Sequence, residues 1–205
     1  MEGFAEVIKY LHHLDKDITL AINSLGFPAM DAVWQLFSAR EIWIVLYLTV
    51  IAFFFVRLGW KRALVVIVSC VLCVTACDQL ANLVKFSVER LRPCYDAEML
   101  QRGLRVLEDP GQLYGFYSAH AANALGFAIC SWMGFRCDKR LKYKGYGLGI
   151  GIWALLVGIS RVFVGKHFLG DVCVGFAVGI AFGLLFGWLA GKVIRRFLDS
   201  SLRSE

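Results

Sequence analysis

Charged side chains are scarce in this sequence. They account for 19% of its 205 residues, whereas an average globular protein has about 25%. Proline is scarcer still, with three residues. So little charge and so little proline exclude a disordered chain and a collagen-like repeat. The seven cysteines are scattered along the chain, which excludes a small domain held together by disulfides.

Apolar residues are abundant instead. Hydrophobic residues make up 59% of the chain, aromatic residues 14%, and the mean hydropathy is +0.63. A soluble core of this size cannot bury that much apolar surface without leaving large patches exposed. We therefore predict an integral membrane protein that forms one domain over residues 1–205.

The net charge of +6 does not indicate a nucleic-acid partner. No basic run interleaved with aromatic residues lies outside the apolar segments. In a membrane protein, an excess of lysine and arginine reflects cytoplasmic loops and contacts with anionic lipids. We expect membrane lipids as partners and no nucleic acid.

Five apolar segments are long enough to cross a bilayer as helices, which takes about 20 residues. The predicted spans are residues 42–56, 63–77 with a continuation through 84, Ala119–Phe135, 145–164 and 172–194. The N-terminal segment 1–40 is less apolar and contains Asn23, Gly26 and Pro28. It fits either a kinked sixth span or an amphipathic helix in the membrane interface. The predicted fold is an all-α transmembrane bundle of five to six spans.

Basic residues concentrate in three places that the alternation of spans puts on one side of the membrane. These are Arg57, Lys61 and Arg62; the stretch 136–144; and a C-terminal tail with Lys192, Arg195, Arg196 and Arg203. The positive-inside rule makes this side cytoplasmic. We predict a multi-pass protein of a bacterial inner membrane, with the opposite ends of the spans facing the periplasm.

Two types of small residue, glycine and cysteine, repeat at regular spacing along apolar segments. Glycine occurs every fourth residue from Gly175 to Gly191, which places a stripe on one face of the last span. The stripe fits packing inside the bundle, and a homodimer interface is the alternative. Cys70, Cys73 and Cys77 also share a helix face, and we expect them to pack as small apolar residues rather than to bind a metal.

Unusual polar residues collect at the periplasmic ends of the spans. They form three clusters: Lys85 with Arg92-Pro93; Ser118-Ala119-His120; and Ser160-Arg161 with His167 and Asp171. Cations close to hydrocarbon are costly unless they are paired or face a wet cavity. Arginine and lysine both suit phosphate oxygens, and Ser118 lies at the start of a helix, where free N–H groups favour an anion. The clusters therefore predict a site for a phosphorylated ligand.

The remaining groups suit phosphoryl transfer. A carboxylate at Asp171 can fix the tautomer of His167 and strengthen its second nitrogen as a nucleophile. His120 can protonate a leaving oxygen and later activate water. The cations stabilise charge on the transferring group. This chemistry requires neither a metal nor another cofactor, because the cations take the place of a metal.

These three clusters resemble the signature motifs of the type 2 phosphatidic acid phosphatase superfamily of membrane lipid phosphatases. The residues that carry the resemblance are Lys85-x6-Arg92-Pro93, Ser118-x-His120 and Ser160-Arg161-x5-His167-x3-Asp171. The resemblance implies a helical bundle with its active site at the outer membrane face, with His167 as nucleophile, Asp171 as its partner and His120 as general acid and base. It implies that phosphate is held by Lys85, Arg92, Ser118, Arg161 and the backbone N–H of Ala119.

One motif departs from the family pattern. The second motif usually reads Pro-Ser-Gly-His, and here it reads Tyr117-Ser118-Ala119-His120. Both functional side chains are kept, so we expect the chemistry to be kept, whereas the shape of the pocket and the choice of substrate depend on the two replaced residues. Some bacterial members that act on lipid A look like this variant.

Several further polar residues have two interpretations. We expect Asp78 to form an ion pair with Lys85 or another cation of the site. Asn123 can either support the residues of the site or form a hydrogen bond between two helices. The connection 94–116 is expected to cover the site and select the headgroup, with a solvated linker as the alternative. Four more cations are expected to reach lipid headgroups or attract the substrate: Arg90, Arg102, Arg105 and Lys166.

The predicted function is hydrolysis of a lipid phosphate or pyrophosphate at the periplasmic leaflet through a phosphohistidine. Undecaprenyl pyrophosphate and lipid A phosphate are the favoured substrates. Two alternatives use the same residues: transfer of the phosphate to another lipid, and binding or transport of a phosphorylated lipid without catalysis.

Overall fold

The computed structural model describes residues 2–198, and all of its regular elements are helices. The principal helices are α1 (Glu2–Ser24), α2 (Pro28–Ser38), α3 (Ile44–Leu58), α4 (Trp60–Val88), α5 (Ala97–Gln101), α6 (Ala119–Phe135), α7 (Lys144–Phe163) and α8 (Leu169–Val193). Short 3₁₀ turns precede α3 and α5, and a π turn follows α8. The all-α prediction is confirmed. Arg203 lies outside the described residues.

Each predicted span coincides with one helix. Four helical segments of the described chain are long and apolar enough to cross a membrane: Glu41–Leu58, Trp60–Val88, Lys144–Phe163 and Leu169–Leu198. Helix α6 has 17 residues, about 25 Å in length, and its role as a fifth span stays a prediction. Long apolar side chains on the outer faces are exposed, among them Val45, Leu48, Val68, Leu72, Leu184 and Leu185. Such an apolar surface suits contact with lipid.

Helix α6 is the centre of the bundle, because α4, α7 and α8 all pack against it. The glycine stripe of α8 faces α6 so closely that a methyl group on Gly179 would lie 2.6 Å from the carbonyl oxygen of Ala122. On its other side, α6 packs against the cysteines of α4, and Cys73, Cys77 and Cys130 are fully buried. The stripe and the cysteines therefore serve packing within the chain. A homodimer stays a prediction that would need another surface.

A buried carboxylate fixes the end of the bundle that the charge pattern assigns to the cytoplasm. Asp138 accepts hydrogen bonds from Arg57 at 2.9 Å, from Arg140 at 2.8 Å and from the hydroxyl of Tyr143 at 2.7 Å. These donors lower the pKa of Asp138 below its usual value. The carboxylate thereby links the end of α3 to the turn between α6 and α7.

The N-terminal segment forms two helices instead of one kinked helix. The break falls at residues 25–27, and Pro28 begins α2, where the missing N–H of proline costs nothing. Helix α1 exposes Val7, Ile8 and Leu11 and turns polar side chains toward the bundle. It is amphipathic, in agreement with one of the two alternatives for this segment, and it lies across the end of the bundle that carries the three motifs; its place relative to the membrane stays a prediction.

Candidate active site

Four helix ends bring the three motifs together. Lys85 lies in the last turn of α4, Ser118 caps the start of α6, Arg161 lies in the last turn of α7, and Asp171 lies in the first turn of α8. The N–H of Ser118 donates to the carbonyl oxygen of Asp171 at 3.0 Å. Lys85, Arg92, Arg161 and His167 are near enough to interact electrostatically. The predicted convergence of the motifs is thus present in the structure.

The loop between α7 and α8 holds the predicted nucleophile. Nδ1 of His167 lies 3.3 Å from Oδ2 of Asp171, which also accepts the N–H of Phe168 at 3.1 Å. The loop turns back at Gly165, which has a φ of +78°, a value that glycine adopts without strain. Burial and the nearby charges of Arg161 and Arg92 hold the pKa of His167 well below its usual value. The imidazole is therefore neutral at neutral pH, as a nucleophile must be.

His120 lies in the first turn of α6, close enough to His167 to interact with it electrostatically. Its Nε2 accepts a hydrogen bond from Nε of Arg40 at 3.1 Å. Arg40 is largely exposed and belongs to the connection between α2 and α3. Its charge also acts on Lys85, Arg92 and Arg161. Arg40 could not be identified from a motif, because its position depends on how α2 packs on the bundle.

The cations of the site have protein partners that a phosphate could replace. Arg92 donates from Nη1 to the carbonyl oxygen of Pro110 at 3.1 Å and from Nε to that of Tyr114 at 3.3 Å. Arg161 donates to the side chain of Ser38, and its Nη1 lies 3.4 Å from Oε2 of Glu108. All these partners except Ser38 come from the connection 94–116. The connection therefore contacts the cations of the site; that it covers the site and selects the headgroup stays a prediction.

Asp78 does not form the expected ion pair. Its carboxylate accepts from Asn82 at 3.3 Å and from Asn123 at 3.5 Å, and among the described residues it forms no ion pair with Lys85. Asn123 thus makes the helix–helix hydrogen bond that was one of its two interpretations. Lys85 is buried. Because Asp78 does not pair with it, the charge of Lys85 is available for an anion.

The altered second motif has a clear structural role. Tyr117 is buried and donates its hydroxyl proton to the carbonyl oxygen of Cys77 in α4 at 3.0 Å. This bond anchors the start of α6 at the position where the resembled motif has a proline, a residue that restricts the backbone. Ser118 caps α6, and its hydroxyl accepts from the N–H of Ala121 at 3.5 Å. The first N–H groups of α6, including that of Ala119, lie outside the hydrogen-bond ladder of the helix and can meet an anion.

The four additional cations form ion pairs within the protein, which corrects the expectation that they reach lipid headgroups. Arg102 pairs with Asp17 at 2.7 Å, and Arg105 pairs with Asp31 at 2.6 Å. Lys166 bonds to the carbonyl oxygen of Asp109. The fourth, Arg90, pairs with Asp171 itself at 2.7 Å. Sequence reasoning missed it as a residue of the site, although it stands two positions before Arg92.

An apolar cavity opens beside His120. It has a volume of about 400 Å³ and lies among α3, α4, α6 and α7. Its lining includes the aromatic residues Trp43, Tyr47, Phe127 and Trp153, and also Arg40 and His120. An apolar cavity with a cation in its lining fits a molecule with a charged head and an apolar tail.

The PAP2 superfamily matches residues 62–195 of the sequence. The chain belongs to this superfamily. The match covers all three motifs and confirms the family predicted from them. The four helix ends that carry these motifs are therefore the candidate active site.

Two curated relatives come from bacteria. A lipid A 4'-phosphatase from Porphyromonas gingivalis is 29% identical over 172 residues, which are 83% of this chain and 70% of that protein. A lipid A 4'-phosphatase from Bacteroides thetaiotaomicron is 29% identical over 171 residues, 82% of this chain and 73% of that protein. These relatives confirm the coarse prediction of a bacterial membrane lipid phosphatase.

Two solved structures share the fold. A PAP2 type phosphatidylglycerolphosphate phosphatase from Bacillus subtilis has a TM-score of 0.73 and 23% identity, over 92% of this chain and 89% of that one. Aquifex aeolicus LpxE has a TM-score of 0.61 and 22% identity, over 83% of this chain and 92% of that one. Both support the predicted transmembrane bundle.

Proposed function

We propose that this protein removes a phosphate group from a phosphorylated lipid through a covalent phosphohistidine, and that a lipid A phosphate is its substrate. The observation that carries this proposal is the buried His167–Asp171 pair, which lies among cations from three different segments. A binding protein needs the cations but has no use for a neutral, oriented imidazole among them. Undecaprenyl pyrophosphate is the second candidate substrate.

In the first step, Nε2 of His167 attacks the phosphorus atom while Nδ1 stays hydrogen-bonded to Asp171. The P–N bond forms as the bond from phosphorus to the lipid oxygen breaks, and His120 donates a proton to that oxygen. The lipid leaves as an alcohol. For Nε2 of His120 to donate, Arg40 must first move away, because its Nε donates to that nitrogen at 3.1 Å.

In the second step, His120 takes a proton from a water molecule, and the resulting oxygen attacks the phosphohistidine. The P–N bond breaks and inorganic phosphate is released, which restores both histidines. Through both steps Lys85, Arg92 and Arg161 stabilise the charge on the phosphoryl oxygens, together with the N–H of Ala119.

The surroundings of the site support a lipid as the leaving group. His120 must face the leaving oxygen, and the apolar cavity begins on the His120 side. A lipid body attached to that oxygen can therefore place a hydrocarbon chain in the cavity. Lipid A carries several such chains, and the curated relatives are lipid A 4'-phosphatases. We further propose that the site faces the periplasm from the inner membrane, because the basic loops lie at the other end.

The test is phosphate release by detergent-purified protein from lipid A, undecaprenyl pyrophosphate and phosphatidic acid, each with and without a chelator. The variant His167→Ala is expected to lose turnover, whereas His13→Ala, which alters an exposed histidine of α1, is expected to retain it. Radiolabelled phosphate should remain on protein that is quenched and washed at alkaline pH, and should be lost in acid, because the P–N bond of phosphohistidine is stable to alkali and labile to acid. This label should be absent from His167→Ala.

Three results would contradict parts of the proposal. Turnover by His167→Ala would refute the phosphohistidine. Binding of lipids without release by the unaltered protein would favour a binding or transport protein. Appearance of the phosphate on a second lipid, with none in solution, would favour phosphotransfer.

A further inference from the structure

Arg90 connects the catalytic pair to the N-terminal helix. Its Nη1 donates to Oδ1 of Asp171 at 2.7 Å, and its Nη2 donates to Oδ2 of Asp15 in α1 at 2.7 Å. The guanidinium also lies over the ring of Phe168, 4.2 Å from its centre. The side chain of Arg90 is 16% exposed. A guanidinium fixed on two carboxylates and a ring has one orientation, since its fork-shaped geometry matches both partners.

The polar face of α1 is built around this contact. Besides holding Arg90, Asp15 accepts the N–H of Gly170 at 2.8 Å, and Thr19 accepts the N–H of Leu169 at 2.9 Å. These N–H groups belong to the first turn of α8, which has no partners for them within its own helix. Helix α1 therefore caps the helix that carries Asp171.

Asn23 completes the same face one turn further along α1. Its side chain donates to the carbonyl oxygens of Val162 and Phe163 at 3.0 Å, at the end of α7. Asp15, Thr19 and Asn23 are spaced by four residues, so they project from one side of the helix. Helix α1 thus grips both ends of the loop that carries His167.

The hydrogen bonds of Asp171 show how the contacts of α1 can affect the orientation of the His167–Asp171 pair. Its Oδ2 is shared by the N–H of Phe168 and by Nδ1 of His167, whereas Arg90 occupies Oδ1. With Arg90 in place the carboxylate plane is fixed, and part of its charge is balanced by a second cation. Without Arg90 the plane can turn, and the full charge of Asp171 acts on His167.

We propose that Arg90 is a positioning residue for the catalytic pair, and that α1 holds it in place through Asp15. This inference rests on the proposed phosphohistidine chemistry. Arg90 does not touch the reacting atoms; it sets the orientation of Asp171, which in turn orients His167. Helix α1 is then a part of the catalytic unit, although it lies outside the three motifs.

The charge on His167 reports this role separately from stability. Removing Arg90 leaves Asp171 free to stabilise the imidazolium, so the pKa of His167 rises and the acid limb of the pH profile moves to higher pH by about one unit. The other charged or titratable groups that face His167 are unchanged in that variant; they are Lys85, Arg92, His120, Arg161 and Lys166.

The experiment compares two matched pairs of variants in the full-length protein. Arg90→Gln is compared with Arg102→Gln, and Asp15→Asn with Asp17→Asn. Arg102 and Asp17 form an exposed ion pair of the same 2.7 Å length, also between α1 and the region after α4. Each pair thus makes the same chemical change beside the site and away from it. Asparagine at position 15 can still accept the N–H of Gly170.

Turnover, KM and Tm are measured for every variant. Arg90→Gln and Asp15→Asn should lower kcat by about 10- to 100-fold, the usual cost of losing a group that orients a reacting side chain. KM should change by less than about threefold. The two control variants should resemble the unaltered protein. Wild-type kcat in Arg90→Gln, or equal kcat in Asp15→Asn and Asp17→Asn, would overturn the proposal.

A second measurement is independent of turnover. The protein has four histidines, and each can be followed by NMR after labelling with ¹⁵N-histidine. The pKa of His167 should be higher in Arg90→Gln than in the unaltered protein and unchanged in Arg102→Gln. An unshifted titration would overturn the coupling even if kcat falls. If the unaltered protein hydrolyses no lipid phosphate, the proposed function fails, and this titration still decides whether Arg90 acts on the pair.

Discussion

Replacing Gly175 by alanine tests whether the contact between α8 and α6 sets the geometry of the active site. A methyl group at this position would lie 2.5 Å from the carbonyl oxygen of Ser118 and 3.0 Å from the side chain of Ala121. Relieving the first contact to the 3.4 Å of ordinary van der Waals contact requires a separation of about 0.9 Å. Ser118 caps α6 within the proposed phosphate site, so the shift occurs where it affects catalysis.

The effect on activity should exceed the effect on stability. Overpacking costs about 1–3 kcal/mol, and alanine regains about 1 kcal/mol of helix propensity over glycine. The net loss of about 0–2 kcal/mol lowers Tm by a few degrees. A displacement near 1 Å between reacting groups costs up to about 100-fold in rate. We therefore expect kcat/KM of Gly175→Ala to fall by about 10- to 100-fold in a protein that remains folded.

The matched control is Gly191→Ala on the same face of α8. A methyl group there meets only the end of the Arg195 side chain, at 3.2 Å, and a flexible side chain can move aside. Phosphate release and thermal unfolding in detergent are measured for both variants. The reasoning is refuted if Gly175→Ala keeps the kcat/KM of the unaltered protein, or if Gly191→Ala loses as much.

Three further predictions follow from the contacts at the two ends of the bundle. Arg40→Ala should raise KM for the lipid substrate by about tenfold, because a cation beside His120 is lost. Arg40→Lys should bring KM most of the way back to the value of the unaltered protein. An unchanged KM in Arg40→Ala would exclude a substrate contact. Glu108→Gln should lower the inhibition constant of inorganic phosphate by about two- to fivefold, because a half-buried carboxylate no longer competes for Arg161; weaker inhibition would contradict this competition. Asp138→Asn should lower Tm by about 2–4 °C with KM unchanged, and a change in KM would show that this distant cluster affects the site.

The parts of the fold that could be predicted are those with a local signal. Each predicted span coincides with one helix because the signal for a span is a run of consecutive apolar residues. The motifs at the span ends meet because the alternation of spans places them on the same side of the membrane. Asn23, Gly26 and Pro28 likewise marked the break between α1 and α2. The orientation of α1 could not be predicted, since an amphipathic pattern is the same whether the polar face meets water or other polar groups of the protein.

The partners of individual charges were the main error, and the cause is physical. Arg90, Arg102 and Arg105 were expected to reach lipid headgroups or to attract the substrate. Arg102 pairs with Glu98, four residues before it, at 3.3 Å. The other partners of the three arginines, Asp15, Asp17 and Asp31, are 74–85 residues away, on α1 and α2. Ion pairs between distant segments have no fixed spacing in a sequence. A motif can therefore identify a charged residue of the site, but it cannot predict the partner of that residue.

These pairings also explain how so many cations can lie close together. Arg92 and Arg161 would repel each other if they were left unpaired in a buried site. The connection 94–116 supplies carbonyl oxygens to Arg92 and the carboxylate of Glu108 to Arg161. These oxygens are the kind of partner that a phosphate group offers, so we expect substrate binding to exchange one set for the other. On this argument the connection moves aside when a phosphorylated headgroup enters and returns when inorganic phosphate leaves, which would give this segment a part in product release.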